Sequence, residues 1–511
     1  MKSIYLTIMA FAVASCLHGQ SADSYSGDML HDYFGKQLEM IPVTPGFTPP
    51  VTSRALGYSG LCAYESTVHG MSNKTSLVGI VPQLDILPLP TAGVNYHWGI
   101  VTNNAMHALL VGLYNNASTQ HLTDLNNIRN AYNVEFSAGT PAEVVSASTT
   151  FGTQIGNSIL TYANADGAQD CQLSNFPADY VIPTGPGLWE PLAGQMALQP
   201  YWGEKRCFVV EFVDLSIISP APPAFSDQVG SELYNEAIAV YEAVNNLTTE
   251  QLNIAEYWAD GGNTVTPPGH SISMLRNIMR YENEDLAFSA EAYARLGMAV
   301  SDAFVACWKT KYEYNLLRPI HYINDYIDAD WTTVVPTPPF PEYTSGHSTQ
   351  SGAFGAAMTA IYGNNYAFVD STHGELYGGP RFFNNFVECA EETAISRLYG
   401  GIHFPIGNTE GTVLGANIGE MVNMLFETVV GVNETASTTF IEVYPNPTSG
   451  MVTLSVAAAA MVDVFNITGQ KVATFTGSRT LDLSGMDAGI YILEVKDMQH
   501  NPMGISRVVV E

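Results

Sequence analysis

Positive charge is what this 511-residue chain has least of. Charged residues make up 13% of it, and 19 Lys+Arg stand against 49 Asp+Glu, a formal net charge of −30. So acidic a surface repels DNA, RNA and anionic lipid, which excludes nucleic-acid binding as a main role. Cysteine is also sparse: six in all, five of them (Cys62, Cys171, Cys207, Cys307, Cys389) beyond the N-terminal segment. They form no CxxC pair, so neither a zinc ribbon nor a redox motif is indicated. Small buried thiols are the expectation, with a Cys171–Cys207 disulfide as the alternative that export would permit. Long apolar runs are missing too, so no transmembrane helix is expected. The 46% apolar content is ample for a large core, and the length suits about three domains.

What is present begins with a leader. Lys2, an apolar run from Ile4 to Ala14 and small residues up to Gln20 read as a secretory signal peptide over residues 1–20. Val13-Ala14-Ser15-Cys16 admits a second reading, a lipoprotein cleavage site with Cys16 lipidated.

Texture then divides the chain. Residues 21–230 mix helical patterns with Gly/Pro/Asn loops. From 231 to 428 one helical pattern follows another: Glu232 to Asn246, Asp285 to Trp308, and His347 to Tyr362, whose Gly352 and Gly355 permit close helix packing. This predicts a mainly α, bundle-like domain over 21–430. A polar linker (431–439) follows. Alternating segments such as Val452 to Val456, Val462 to Phe465 and Ile490 to Val495 then predict a small β-sandwich over 440–511. Asp325, Asp328 and Asp330 alternate but lack the EF-hand spacing, which makes calcium there a minor reading.

The few cations recur in suggestive company. Lys311 and Arg318 lie seven apart, the spacing of two helical turns, with Pro319 limiting the helix. Thr344-Ser345-Gly346-His347 enters a helix whose first turn offers free amides, a hydroxyl and an imidazole. Ser396-Arg397 precedes a Gly400-Gly401 break that lets His403 fold back toward Arg397. Taken singly, each piece has an ordinary explanation: a surface pair, a capped helix, a core histidine. Together they supply three permanent cations, a hydroxyl, a backbone amide and two imidazoles, an inventory suited to a tetrahedral oxyanion such as phosphate or vanadate.

In that order and spacing, these segments resemble the vanadium-dependent haloperoxidases, which share their site with the type 2 phosphatidic acid phosphatases and bacterial acid phosphatases. Gly187-Leu188-Trp189-Glu190-Pro191, Tyr201-Trp202-Gly203, Trp258-Ala259-Asp260-Gly261 and Thr264 to His270 extend the resemblance over about residues 50–425. It implies helical bundles and vanadate as cofactor. His403 would be the metal ligand. Lys311, Arg318, Arg397, Ser345 and the Gly346 amide would bind the oxygens, and His347 would be the acid/base; Lys311, His347 and His403 form the catalytic set. Trp308 and Phe340 fall at halide-side positions. The implied reaction is oxidation of iodide or bromide by hydrogen peroxide to hypohalous acid, with an organic halogen acceptor as a further partner. The alternatives are an acid phosphatase on small phosphate esters with His403 as nucleophile, and a non-catalytic anion binder.

Two departures stand out. Thr344 replaces the family's Pro, and Gly407 stands where the superfamily has an Asp that orients the last His. Asn408 or Glu410 is the expected substitute, while His270, in its Pro/Gly loop, reads as structural. Tyr444 to Gly450, Gly489-Ile490-Tyr491 and Arg507 resemble a type IX secretion system C-terminal sorting domain. That resemblance implies secretion machinery as a partner and a secreted or cell-surface destination.

Overall fold

The computed structural model describes residues 21–209, 213, 217–427, 439–441, 443–455, 461–466, 471–486, 488–496 and 502–510. The expected signal peptide with Cys16, and nearly all of the expected linker, lie outside these residues. The chain divides into two compact units, Met1–Glu427 and Thr428–Glu511.

The first unit is helical: α1 Asp28–Met40, α2 Pro49–Thr67, α3 Trp98–Leu113, α4 Thr119–Ser137, α5 Ala142–Asn164, α6 Glu232–Asn245, α7 Thr249–Tyr257, α8 Thr266–Glu282, α9 Leu286–Tyr314, α10 Pro319–Tyr326, α11 Gly346–Tyr362, α12 Phe386–Tyr399 and α13 Pro405–Phe426. A short hairpin, β1 Phe368–Asp370 with β2 Arg381–Phe383, precedes α12. Helix α9 is the axis of the unit, packing on α2 on one side and on α11 and α13 on another. Helices α11 and α13 approach backbone to backbone. A Cβ on Gly352 would collide with the Thr412 carbonyl, and one on Gly415 with that of Thr349. Of the glycines read from the sequence, Gly352 does bring these two helices together, while Gly355 faces Ala390 and Phe386 of α12. None of the described helices is long and apolar enough to cross a membrane, and the five cysteines are buried free thiols rather than a Cys171–Cys207 pair.

One local expectation is corrected. Lys311 and Arg318 do not share a helix. Helix α9 runs six residues past Trp308 and stops at Tyr314, because Asn315 turns left-handed (φ 47°), its backbone N–H donating to Lys311 O and its side-chain Nδ2 to the Tyr312 carbonyl at 2.5 Å. Asn and Asp tolerate that conformation best among non-glycine residues. Pro319 then holds Arg318 extended, as the N-cap of α10. The two cations come together across a chain reversal, not along one helical face.

The second unit is the expected sandwich. One sheet has five strands in the order β3 Thr439–Phe440, β10 Pro502–Val510, β9 Gly489–Lys496, β6 Met461–Asn466, β7 Lys471–Thr476; the other has three, β4 Val443–Tyr444, β5 Met451–Leu454, β8 Thr480–Asp482. Alternate residues Val462, Val464, Leu493 and Val495 face Val452, Leu454 and Leu481 in its core.

Candidate active site

Three stretches of sequence, 311–318, 340–347 and 397–403, converge at the end of the α9/α11/α13 cluster. Lys311 comes from the last turn of α9 and Arg318 from the start of α10. The Pro-rich loop 333–345 supplies Phe340, Glu342 and Ser345, and the first turn of α11 supplies Gly346 and His347. Arg397 lies in the last turn of α12, and His403 in the turn to α13. Under them packs a separate apolar cluster including Leu316, Leu317, Tyr343 and Phe404. Helix α12 ends at Tyr399, as the glycine pair foretells, and Gly401 takes a φ of 76° to turn His403 inward.

Burial is nearly complete. Lys311, Arg318, Glu342 and Ser345 are 0% exposed, Arg397 and His403 2%. Yet among the described residues none of the three cations makes a carboxylate ion pair; they lean on carbonyls. Lys311 Nζ donates to Pro341 O (2.9 Å), Glu342 O (2.9 Å) and Thr344 O. Arg318 donates to Phe340 O and Ile402 O, both at 2.9 Å, and Arg397 to Trp258 O at 2.6 Å. Arg318 Nη2, Arg397 Nε and His347 Nε2 are buried with no partner. Burial pulls the Lys311 ammonium down to about 7 and lowers both guanidinium values. Buried, uncompensated cations with unused donors are costly. An anion placed among them would relieve that cost.

The histidines are tuned to be neutral. Burial first, then Arg318, Lys311 and Arg397, keep His403 well below its ordinary range; burial, then Arg397, does the same for His347. His403 Nδ1 lies 2.7 Å from Glu342 Oε1, and Nε2 lies 3.1 Å from Arg318 Nη1. A carboxylate on one side and a guanidinium donor on the other fix the tautomer: Nδ1 carries the proton and Nε2 keeps its lone pair. That is the state a metal-ligating imidazole needs.

Glu342 is the residue that sequence reasoning missed. It accepts from His403 Nδ1 and from Phe404 N (3.1 Å), and burial raises its carboxyl to about 7 against the pull of Lys311 and Arg318. Neither expected substitute reaches His403. Asn408 Oδ1 accepts from Ser348, and the Glu410 carbonyl accepts from Ser219. Gly407 explains the exchange, because a Cβ there would collide with Glu342 Oε1. The carboxylate has moved from one chain segment to another, and the glycine clears the room for it. The available signal was Glu342 itself, an acid three residues before Ser345, inside the segment already singled out.

Ser345 caps α11, its Oγ accepting from Ser348 N at 3.3 Å, and nothing fills the space beside Gly346 closer than the Trp308 ring, 3.6 Å from where a Cβ would sit. A cavity of about 650 Å³ opens over the cluster, walled by prolines and reaching His347, Arg397 and Phe340. Of the two halide-side candidates, Phe340 faces this cavity. Trp308 lies buried behind it, ring centroids 4.9 Å apart, with its indole N–H on Leu198 O. His270 lies outside the cation cluster, between two carboxylates.

Known proteins resemble this chain in sequence and in fold. A family profile described as the VCPO second helical-bundle domain matches residues 291–432, and one described as the secretion system C-terminal sorting domain matches 442–511. The vanadium chloroperoxidase of Curvularia inaequalis is 32% identical over 212 residues, 35% of this chain and about a third (34%) of that one. The crystal structure of a bacterial vanadium-dependent iodoperoxidase superposes with a TM-score of 0.70 at 30% identity, covering 79% of this chain and 97% of that one. A bacterial vanadium-dependent chloroperoxidase, holo-type, shares the fold (TM-score 0.58, 14% identity, 76% and 93% covered). The chain belongs to the vanadium-dependent haloperoxidase family and ends in a type IX sorting domain.

Proposed function

We propose that this protein is an exported, vanadate-dependent haloperoxidase that oxidises iodide or bromide with hydrogen peroxide. The observation that carries the reading is the group of three buried cations without a carboxylate partner, gathered around one neutral imidazole whose unprotonated Nε2 faces the Arg318 guanidinium. Arg318 Nη2 and Arg397 Nε would donate to vanadate oxygens, and Lys311 would add charge while its own protons stay on backbone carbonyls. Ser345 and the Gly346 amide would complete the cradle at the N-terminus of α11. His403 Nε2 would hold the metal, with Glu342 fixing its orientation. Bound vanadate would supply a Lewis acid that activates peroxide toward halide without changing oxidation state. His347, neutral and with Nε2 unengaged, would take the peroxide proton and return it to the departing oxygen. Phe340 would shape the halide approach. The sorting domain supports export through the secretion machinery.

A second reading gains support from Glu342. A phosphatase needs a carboxylate behind its nucleophilic His, and Glu342 stands where the missing Asp at 407 would have acted. One assay on the full chain separates the two: halide oxidation by peroxide with and without vanadate, beside p-nitrophenyl phosphate hydrolysis. Vanadate-dependent oxidation is expected. Phosphate release inhibited by vanadate, with no halide oxidation, would replace the proposal.

The carboxylate exchange is testable by moving it back. Glu342→Ala is expected to weaken vanadate retention by roughly 10–100-fold, the scale of an outer-shell partner. Gly407→Asp alone crowds Glu342 and should cost about 1–3 kcal/mol of stability. The double variant relieves the crowding, restores a carboxylate beside His403 and should bind better than Glu342→Ala. Vanadate titration and thermal melts read both effects; a double variant no better than the single one would refute the exchange.

A further inference from the structure

We propose that Asp260, His270 and His373 form a second metal site, specific for one zinc-class divalent cation, with Asp370 as the outer partner of His270. The three ligand atoms lie within 4.8 Å of one another. His270 Nδ1 is 2.9 Å from Asp260 Oδ2, and His373 Nε2 is 3.1 Å from Asp260 Oδ1. Zinc bonds of about 2.0–2.2 Å in a tetrahedral shell put neighbouring ligand atoms roughly 3.3 Å apart. Each imidazole is already within a few tenths of an ångström of that spacing from one oxygen of Asp260, and small side-chain rotations would bring the three ligand atoms around the ion.

The surroundings are those of a built site. His270 Nε2 bonds Asp370 Oδ2 at 2.7 Å, so a metal on Nδ1 would complete a carboxylate–histidine–metal series. Asp370 is saturated otherwise. Tyr257 donates to Oδ2 at 2.8 Å, while Thr372 N (3.0 Å) and Oγ1 (2.7 Å) donate to Oδ1, which leaves it no free lone pair to act as a ligand. The Trp258 ring stacks on His270 at 4.7 Å and orients it. Asp260 and His270 side chains are 1% exposed, but His373 is 12% exposed and gives the ion a way in.

Charge favours the cation. His270 has a carboxylate on each ring nitrogen, Asp260 on Nδ1 and Asp370 on Nε2, so acidic groups outnumber basic ones around it. Arg397 acts on Asp260 from beyond ion-pair distance and is turned to Trp258 O. A divalent ion that displaces the Nδ1 proton to solvent brings the cluster to neutrality. Two imidazoles and one carboxylate select zinc, cobalt or nickel over magnesium or calcium.

The site is read with zinc alone, in buffer free of vanadate, halide and peroxide, so the outcome is independent of the haloperoxidase reading. Chelator-stripped full chain is expected to take up one equivalent of Zn²⁺, and to raise its melting temperature in proportion to free zinc. Co²⁺ should give the visible absorption of a tetrahedral nitrogen/oxygen site. His373→Ala is expected to lower zinc affinity more than about 100-fold, beyond the cost of losing an outer partner, with an unchanged circular dichroism spectrum. His373→Gln is a second variant for the same comparison. No stoichiometric uptake by the wild type, or equal affinity in both variants, overturns the proposal.

Discussion

His403→Ala is expected to leave a folded protein that no longer retains vanadate and no longer oxidises halide. The loss should exceed the roughly 10–100-fold that an outer-shell change costs, because the variant removes the imidazole nitrogen that faces Arg318 within the cation cluster. The arginines and Lys311 would still attract the anion, but only as a freely exchanging ion. A stability cost is expected as well. Glu342 would keep Phe404 N as a donor and lose His403 Nδ1, and a buried carboxylate short of a partner costs about 1–3 kcal/mol. Vanadate titration of the variant, together with its melting temperature, separates the two effects. A variant that holds vanadate in a one-to-one, slowly exchanging complex would show that the metal sits elsewhere.

His347→Ala should show the reverse pattern. Its Nε2 has no partner, and the ring lines the cavity beside Arg397, so its removal leaves the cations and His403 untouched. Turnover is expected to fall by about 10²–10⁴, the usual worth of a positioned proton-transfer group. Vanadate affinity should change little. The His347→Gln variant, which cannot shuttle a proton but fills the space, should behave like the Ala variant. Restored turnover in the Gln variant would mean that His347 acts by shape alone.

Comparing these residues with their sequence context shows where reading along the chain succeeds. The ends of α6, α11 and α12 followed from local signals: apolar periodicity, Ser345 as a cap, and the Gly400-Gly401 break. The scarcity of cations made Lys311, Arg318 and Arg397 conspicuous before any fold was known. The alternation in the last 70 residues gave the sandwich. Two features escaped it, one through a local backbone turn and one through non-local packing. Lys311 and Arg318 looked like one helical face because seven is a helical spacing; Asn315 broke the helix through a left-handed turn that many residues could have avoided. The carboxylate behind His403 was sought next to Gly407, since neighbours in sequence are the natural substitutes, and it came from 61 residues upstream.

The sequence alone, then, determined the helical class, the sandwich, the family and the membership of the cation cluster, because these depend on composition, periodicity and short motifs. Tertiary structure alone decided which carboxylate holds His403, that Lys311 spends its protons on carbonyls, that Phe340 rather than Trp308 faces the cavity, and that His270 lies between Asp260 and Asp370. Each of these depends on which distant backbone segments meet and how much room a single Cβ leaves between them, and a linear string carries no such distances.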